Sequence, residues 1–289
     1  MNGKSTKNYS ILKDTQEKIA IQGIKGSYHY QVAKNVFGPD TGIIECLSFT
    51  ELVKKIIQKE ADIGILALEN SIAGAILPNY DLIDRNNLQI TGEFYLPISH
   101  QLMALPGQTI QDIKEVRSHP MALLQCKAFF EKYPHIQLIE DMDTASVARD
   151  IREKKLKGVG AIAGVAAADF FELEILASDI QTIKNNITRF CIVQNENEAN
   201  TQKGFDKVSL KLVLENQKGI LAKVLQVMSE HNLDLTKIQS LPVIDKPWHY
   251  AFFIDLLFES KEDYTQTLSV LEKMDISIKI LGEYKNAKI

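Results

Sequence analysis

The sequence predicts an α/β chain in two parts, and three observations carry that prediction. Short β-branched runs alternate with amphipathic helical stretches up to about residue 195, the pattern of a parallel or mixed sheet covered by helices. A polar segment, QNENEANTQKGFD, then lacks any branched aliphatic side chain and reads as a linker. Beyond it, strand, helix, strand, strand, helix and strand follow within about 80 residues, a ferredoxin-like βαββαβ plan. The expected domains are therefore 18–196 and 205–285.

Each element has its own signal. KIAIQGIKG is a β-branched strand closing on two glycines, and SYHYQVAKNVFG has helical spacing through Tyr28, Val32 and Val36 with Gly38 as its stop. IIECLSF predicts a strand, and TELVKKIIQKEA a helix with Leu52, Ile56 and Ile57 on one face. DIGILALEN is nearly continuously apolar, as in a strand buried on both faces. EVRSHP, IQLIEDMD and VGAIAG predict strands, each followed by a helix: MALLQCKAFFEKY, TASVARDIREKK and VAAADFFEL. In the second part KVSLKLVLE, LDLTKIQSL, WHYAFFIDLLF and ISIKILGEY predict strands, and ILAKVLQVMSEHN and KEDYTQTLSVLEKM helices.

Composition excludes several function classes. With 33 basic against 37 acidic side chains the net charge is −4, so no electrostatic footprint for nucleic acid or an anionic membrane surface is present. Cys46, Cys126 and Cys191 are scattered and odd in number, which argues against a disulfide framework or zinc site and for a reducing compartment. The polar opening MNGKSTKNYSILKDTQEK lacks a signal-peptide core, so a cytoplasmic location is expected. No metal, nucleotide or flavin motif occurs, and His100 and His119 stand without a second histidine at ligand spacing. No cofactor is expected.

In an open α/β sheet, ligands bind beyond the carboxyl ends of the strands. Those ends carry Gly26-Ser27, Glu69-Asn70-Ser71, Ser118-His119-Pro120 and Asp143-Thr144, each with a small hydroxyl residue where a helix is expected to begin. Such residues either cap helices or, together, hold a small anion at helix N-termini. Glu69 and Asn70 close a turn through internal hydrogen bonds or face a ligand. Gln125 lies two helical turns after Ser118 and either shares its face or is a surface glutamine. In KNNITRFCIV, a hydroxyl and a fixed positive charge, Thr188 and Arg189, abut the apolar run Phe190–Val193. An arginine there can grip a carboxylate in a bidentate fork or pair with a surface acid. The residues alone lead to a two-domain protein that binds a small organic anion.

At these positions the chain resembles the prephenate dehydratase family. The resemblance runs from Ile19 to about Tyr284, through GIKGSY (Gly23–Tyr28), ENSIAG (Glu69–Gly74) followed by YDLI, SHPMALLQC (Ser118–Cys126) and NITRF (Asn186–Phe190). It implies conversion of prephenate to phenylpyruvate, carbon dioxide and water on the route to phenylalanine. It also implies a catalytic domain of two lobes, similar to type II periplasmic binding proteins, with the site in their cleft. The chain would cross between lobes near LPISHQ (96–101) and SDIQTIKNN (178–187). By the same resemblance Thr188 assists the departing hydroxyl. Arg189 holds a carboxylate or braces the site through Glu69, and Asn70 and Gln125 complete the catalytic set. Ser27, Ser71, Ser118, Thr144, Asn186 and Phe190 are the expected substrate-binding residues. Arogenate as substrate, or a non-enzymatic anion sensor on the same fold, are the alternatives.

The second part resembles the ACT module that this family carries for phenylalanine sensing, which implies homodimers or homotetramers through ACT contacts. The effector set would be Asn216, Gly219, Ile220, Leu221 and Ser240. The sensor motif departs from the family's Glu-Ser-Arg-Pro: this chain has Gln239-Ser240-Leu241-Pro242, losing an acid and an arginine. An altered response to L-phenylalanine is expected.

Overall fold

Alternating apolar runs and amphipathic helices place the first strands side by side. The computed structural model describes residues 17–199, 204–215, 217–243 and 249–287. In chain order it begins β1 (Lys18–Gln22), α1 (Tyr28–Phe37), β2 (Gly42–Cys46), α2 (Phe49–Ile57), β3 (Ile63–Asn70), a two-residue β4 (Gly74–Ala75), α3 (Leu77–Arg85) and β5 (Leu88–Pro97). A second run follows: β6 (Gln101–Ala104), β7 (Glu115–Ser118), α4 (Pro120–Phe130), β8 (Gln137–Glu140), α5 (Thr144–Lys154), β9 (Val159–Ala163), α6 (Val165–Phe171) and β10 (Glu174–Ala177). The chain then returns as β11 (Ile187–Asn195) and ends with β12 (Lys207–Leu214), α7 (Ile220–Glu230), β13 (Asp234–Pro242), β14 (Tyr250–Leu257), α8 (Lys261–Lys273) and β15 (Ser277–Tyr284).

These strands make three sheets. The first has order β2-β1-β3-β11-β5 with β4 on β3, the second β10-β6-β9-β7-β8, and the third β13-β14-β12-β15. Pairing is parallel among β1, β2 and β3 and among β7, β8 and β9, and antiparallel where β6 meets β9 and β10. The third sheet is wholly antiparallel with two helices, the βαββαβ arrangement.

Two compact units result: one of the chain up to Ile65 together with Leu96–Ile187, the other of Leu66–Tyr95 together with the chain from Thr188 onward. The first holds two apolar clusters on the β6–β9 sheet. One is centred on Leu102, Val116, Cys126 and Ile162, the other on Met103, Ala148, Ile151 and Ala161. The second unit has its core between the third sheet and its helices, around Val208, Leu210, Val224, Ile254 and Leu271. Within it the C-terminal sheet lies tight against β5, since a Cβ on Gly282 would sit 2.1 Å from the Ile90 carbonyl oxygen.

Three local expectations change. On α2 the inward face is Leu52, Val53 and Ile56, while Ile57 is exposed: the helix starts at Phe49, and position 57 has rotated off the core stripe. The strand before the linker runs to Asn195, and part of the linker, residues 200–203, lies outside the described residues. The third change concerns the helix starts. Ser27 caps α1 by accepting from the Tyr30 N–H, but Asp143 rather than Thr144 caps α5, and His119 rather than Ser118 caps α4. After Asn70 no helix begins; the chain turns into β4 instead.

Candidate active site

Strand alternation decides where the NITRF segment points. Successive side chains of a strand face opposite sides, so Thr188 and Arg189 on β11 cannot share a surface. Thr188, 7% exposed, accepts a 2.9 Å hydrogen bond at Oγ1 from Asn70 Nδ2. The Asn70 amide is itself fixed, because its Oδ1 accepts from the backbone N–H groups of Ile72 (3.0 Å) and Ala73 (2.9 Å). That turn occupies the end of β3, where Gly74 takes the left-handed φ of 83° that the reversal into β4 needs. Asn70 therefore both closes the turn and orients the threonine. With one lone pair engaged by Asn70, the Thr188 hydroxyl can turn its proton to another oxygen.

Arg189 does something else, and its expected role is corrected. Its guanidinium is 4% exposed and each of its three nitrogens donates within the protein: Nε to Glu93 (2.7 Å), Nη2 to the Tyr284 hydroxyl (2.8 Å), and Nη1 to Asp255. Lys207 completes the group by donating to both Glu93 oxygens, at 3.0 and 2.9 Å. Two cations and two carboxylates balance. Burial by itself would lower the Arg189 pKa, but Asp255, Tyr284, Cys191 and Glu93 raise it well above its ordinary value. Burial pushes the Asp255 carboxyl up, yet Arg189 and Lys207 hold it below the ordinary value. Buried among Glu93, Asp255 and Tyr284, the guanidinium is not exposed to a substrate carboxylate, and it does not brace Glu69. Glu69 pairs instead with Lys237 of β13 at 2.8 Å.

The first unit holds a second, uncharged cluster. Gln125 on α4 accepts at Oε1 from His100 Nε2 (2.9 Å) and from Asn186 Nδ2 (3.0 Å). His100 Nδ1 lies 2.9 Å from the Tyr28 hydroxyl, which is also 3.0 Å from the Ser99 carbonyl. Burial lowers the His100 pKa against the opposing pull of the Gln125 bond, so the ring is neutral near pH 7. The Gln125 backbone carbonyl accepts from the Thr182 N–H at 2.8 Å, tying α4 to the segment before β11. His100 carries no motif signal for this role; the long-range pairing of the 96–101 and 178–187 segments places it, and Tyr28, the last residue of GIKGSY, reaches it through its hydroxyl.

The remaining expected residues are placed as follows. Ser118 is fully buried and its hydroxyl donates to the Ile162 carbonyl at 2.7 Å, stapling β7 to β9. That corrects its expected substrate role and its shared face with Gln125. Phe190, 1% exposed, is a core side chain rather than a binding one. Ser27 lies beside Gly23, whose added Cβ would meet Ser27 Cβ at 3.3 Å and Asp143 Oδ2 at 4.0 Å, so the starts of α1 and α5 adjoin. Thr144 is half-buried and Ser71 exposed on its turn. Of the effector set, Gly219 precedes α7 with a left-handed φ of 79°, Ile220 and Leu221 open that helix against the module core, and Ser240 is exposed on β13. Asn216 lies outside the described residues. Among the described residues no group of three or more His, Cys, Asp or Glu could hold a metal ion, and no helix is long and apolar enough to cross a membrane.

Comparison with known families matches residues 19–198 to the prephenate dehydratase profile and 208–263 to the ACT domain. The chain belongs to the prephenate dehydratase family. It is 33% identical to a bifunctional chorismate mutase/prephenate dehydratase of Aquifex aeolicus, over 93% of this chain and 74% of that protein. It is 35% identical to arogenate dehydratase 2 of Petunia hybrida, over 92% of this chain and 71% of that protein. Among solved structures, a prephenate dehydratase from Arthrobacter aurescens in complex with L-Phe superposes with a TM-score of 0.83 at 26% identity, covering 93% of this chain and 90% of that one. The quorum-quenching acylase GqqA superposes with a TM-score of 0.84, also at 26% identity, covering 93% and 98%. This prephenate dehydratase family member thus has relatives named for two substrates and a structural neighbour named for a third chemistry.

Proposed function

We propose that this chain converts prephenate to phenylpyruvate, carbon dioxide and water in phenylalanine biosynthesis, in the cytoplasm. The observation that carries the reading is the Asn70–Thr188 hydrogen bond, which leaves the threonine proton as the available one. In the reaction the ring carboxylate leaves as carbon dioxide. Its bonding pair moves through the ring, the ring becomes aromatic, and the C–O bond breaks as the hydroxyl, hydrogen-bonded by Thr188, takes a proton from solvent and departs as water. Positioning and a donor at the leaving oxygen suffice. Thr188 is a weak acid and assists by hydrogen bonding rather than by releasing a free proton. Gln125 supplies an amide donor to a substrate oxygen. The C-terminal module binds L-phenylalanine with an altered response, since Gln239 and Leu241 replace the charged pair of the sensor motif, and it holds the chain in a homo-oligomer.

Mixing purified protein with prephenate and following phenylpyruvate absorbance tests the reading; turnover no faster than the spontaneous reaction sinks it. Thr188→Ala is expected to fold normally and lower kcat by roughly 10²- to 10⁴-fold. Arogenate run beside prephenate decides between the two substrates. The acylase reading has less support. Among the described residues Thr188 has one side-chain partner, an amide that cannot serve as a base, and burial pushes the Cys126 and Cys191 thiols up to about 12.

A further inference from the structure

A glutamine side chain can present either of two ends to a ligand, an acceptor oxygen or a donor nitrogen, and only its other contacts choose between them. For Gln125 the choice is made by His100. Oε1 receives two donors, His100 Nε2 and Asn186 Nδ2, and is saturated. Its NH2 group has no protein partner among the described residues. An amide oxygen only accepts, so the Nε2 facing Oε1 carries the ring's one N–H, and the bare Nδ1 shares the single Tyr28 proton with the Ser99 carbonyl. The ring of Tyr28 is held for this by the absence of a side chain at Gly164, where a Cβ would lie 2.8 Å from Tyr28 Cε1. In the opposite tautomer Tyr28 would give its proton to the Ser99 carbonyl and Nε2 would become an acceptor. Gln125 would then turn its NH2 inward and offer oxygen to a substrate rich in carboxylate.

We propose that His100, in its Nε2–H tautomer, is a positioning residue that holds Gln125 with its amide donors presented to a substrate oxygen. The proposal rests on the reading of Gln125 as a substrate-binding donor. It adds a residue that never touches the substrate but decides the polarity of one that does. His100→Gln keeps an N–H at the Nε2 position, whereas His100→Leu keeps bulk and loses the donor.

The test pairs kinetics with an assay that needs no turnover. In the wild-type protein, nitrogen-15 shifts of the imidazole are expected to show protonation at Nε2, and the Gln125 side-chain amide to be well ordered. His100→Leu should disorder that amide and lower kcat/KM by roughly 10- to 100-fold, while His100→Gln restores the order and most of the rate. On a Gln125→Ala background, His100→Leu should cost less than about twofold, because the two residues act as one unit. Protonation at Nδ1, an unchanged Gln125 amide in His100→Leu, or effects that multiply in the double variant would overturn the proposal. If wild-type protein does not turn over prephenate, the proposed function fails, and the two nitrogen-15 measurements still judge the positioning. If His100→Leu does not fold, His100→Met, which also keeps bulk and loses the donor, is held to the same amide and rate measurements.

Discussion

Two buried polar clusters sit in this molecule, and they are built to opposite ends. In the second unit Arg189, Lys207, Glu93 and Asp255 form a charged group closed on itself, with Tyr284 and Ser209 taking up remaining bonds. In the first unit Tyr28, His100, Gln125 and Asn186 form a neutral chain that ends on an amide with its donors unspent. The difference teaches how to tell a structural polar group from a working one. Internal hydrogen bonding is common to both; what separates them is that Arg189 is 4% exposed among balancing charges, whereas Gln125 is only half-buried and keeps its NH2 without a protein partner among the described residues. A closed cluster joins elements, here the C-terminal sheet to β5 and β11. An open chain aims its last member.

The largest expected effect breaks the closed cluster. Asp255→Ala leaves Arg189 and Lys207 with a single buried carboxylate and should cost about 3–5 kcal/mol in chemical denaturation. A loss under about 1 kcal/mol would show that the cluster is solvated and that the contrast fails. Next in size, Gln125→Glu replaces the donor end by a carboxylate of the same shape. It should lower kcat/KM by roughly 10²- to 10³-fold with little change in melting temperature. A variant that melted early instead would place Gln125 with the structural cluster.

The smallest effect is a pH dependence in a third group, an ion-pair set outside both clusters. Asp84 pairs with Lys211 and with Lys279 (3.0 Å). Burial raises its pKa, but the lysine hydrogen bonds outweigh it and bring the value below the ordinary 3.8. A depressed carboxylate stabilises the fold above its unfolded pKa and loses that contribution as pH falls through the folded value. Asp84→Asn should therefore cost about 1 kcal/mol or less at pH 7, and the gap to wild type should close below about pH 4. A gap that persists at low pH would mean the lysines bind something other than the carboxylate.

The local geometry at the end of β3 was legible in the sequence. Glu69-Asn70 at the end of an apolar strand had to close a turn or meet a ligand, and Asn70 closes the turn while holding Thr188. Arg189 was misplaced because its attraction to carboxylates is right but the carboxylates, Glu93 and Asp255, lie 96 and 66 residues away. Period-two alternation of β11, applied strictly, already separates Thr188 from Arg189. Ser118 was misread because a hydroxyl at a strand end looks the same whether it meets a substrate or, as here, the Ile162 carbonyl of a neighbouring strand. His100 was noted only for want of a second histidine at ligand spacing, because its contacts, Tyr28 and Gln125, lie far from it in the chain.

By itself, the sequence determined the α/β class, the βαββαβ C-terminal part and the family, because periodicity, turn residues and contiguous motifs are local signals. Only the tertiary structure decided which polar side chains are spent and which remain available. Hydrogen-bond partners such as Asn70 with Thr188, or His100 with Gln125, are fixed by strand order and register, and those join residues far apart in the chain.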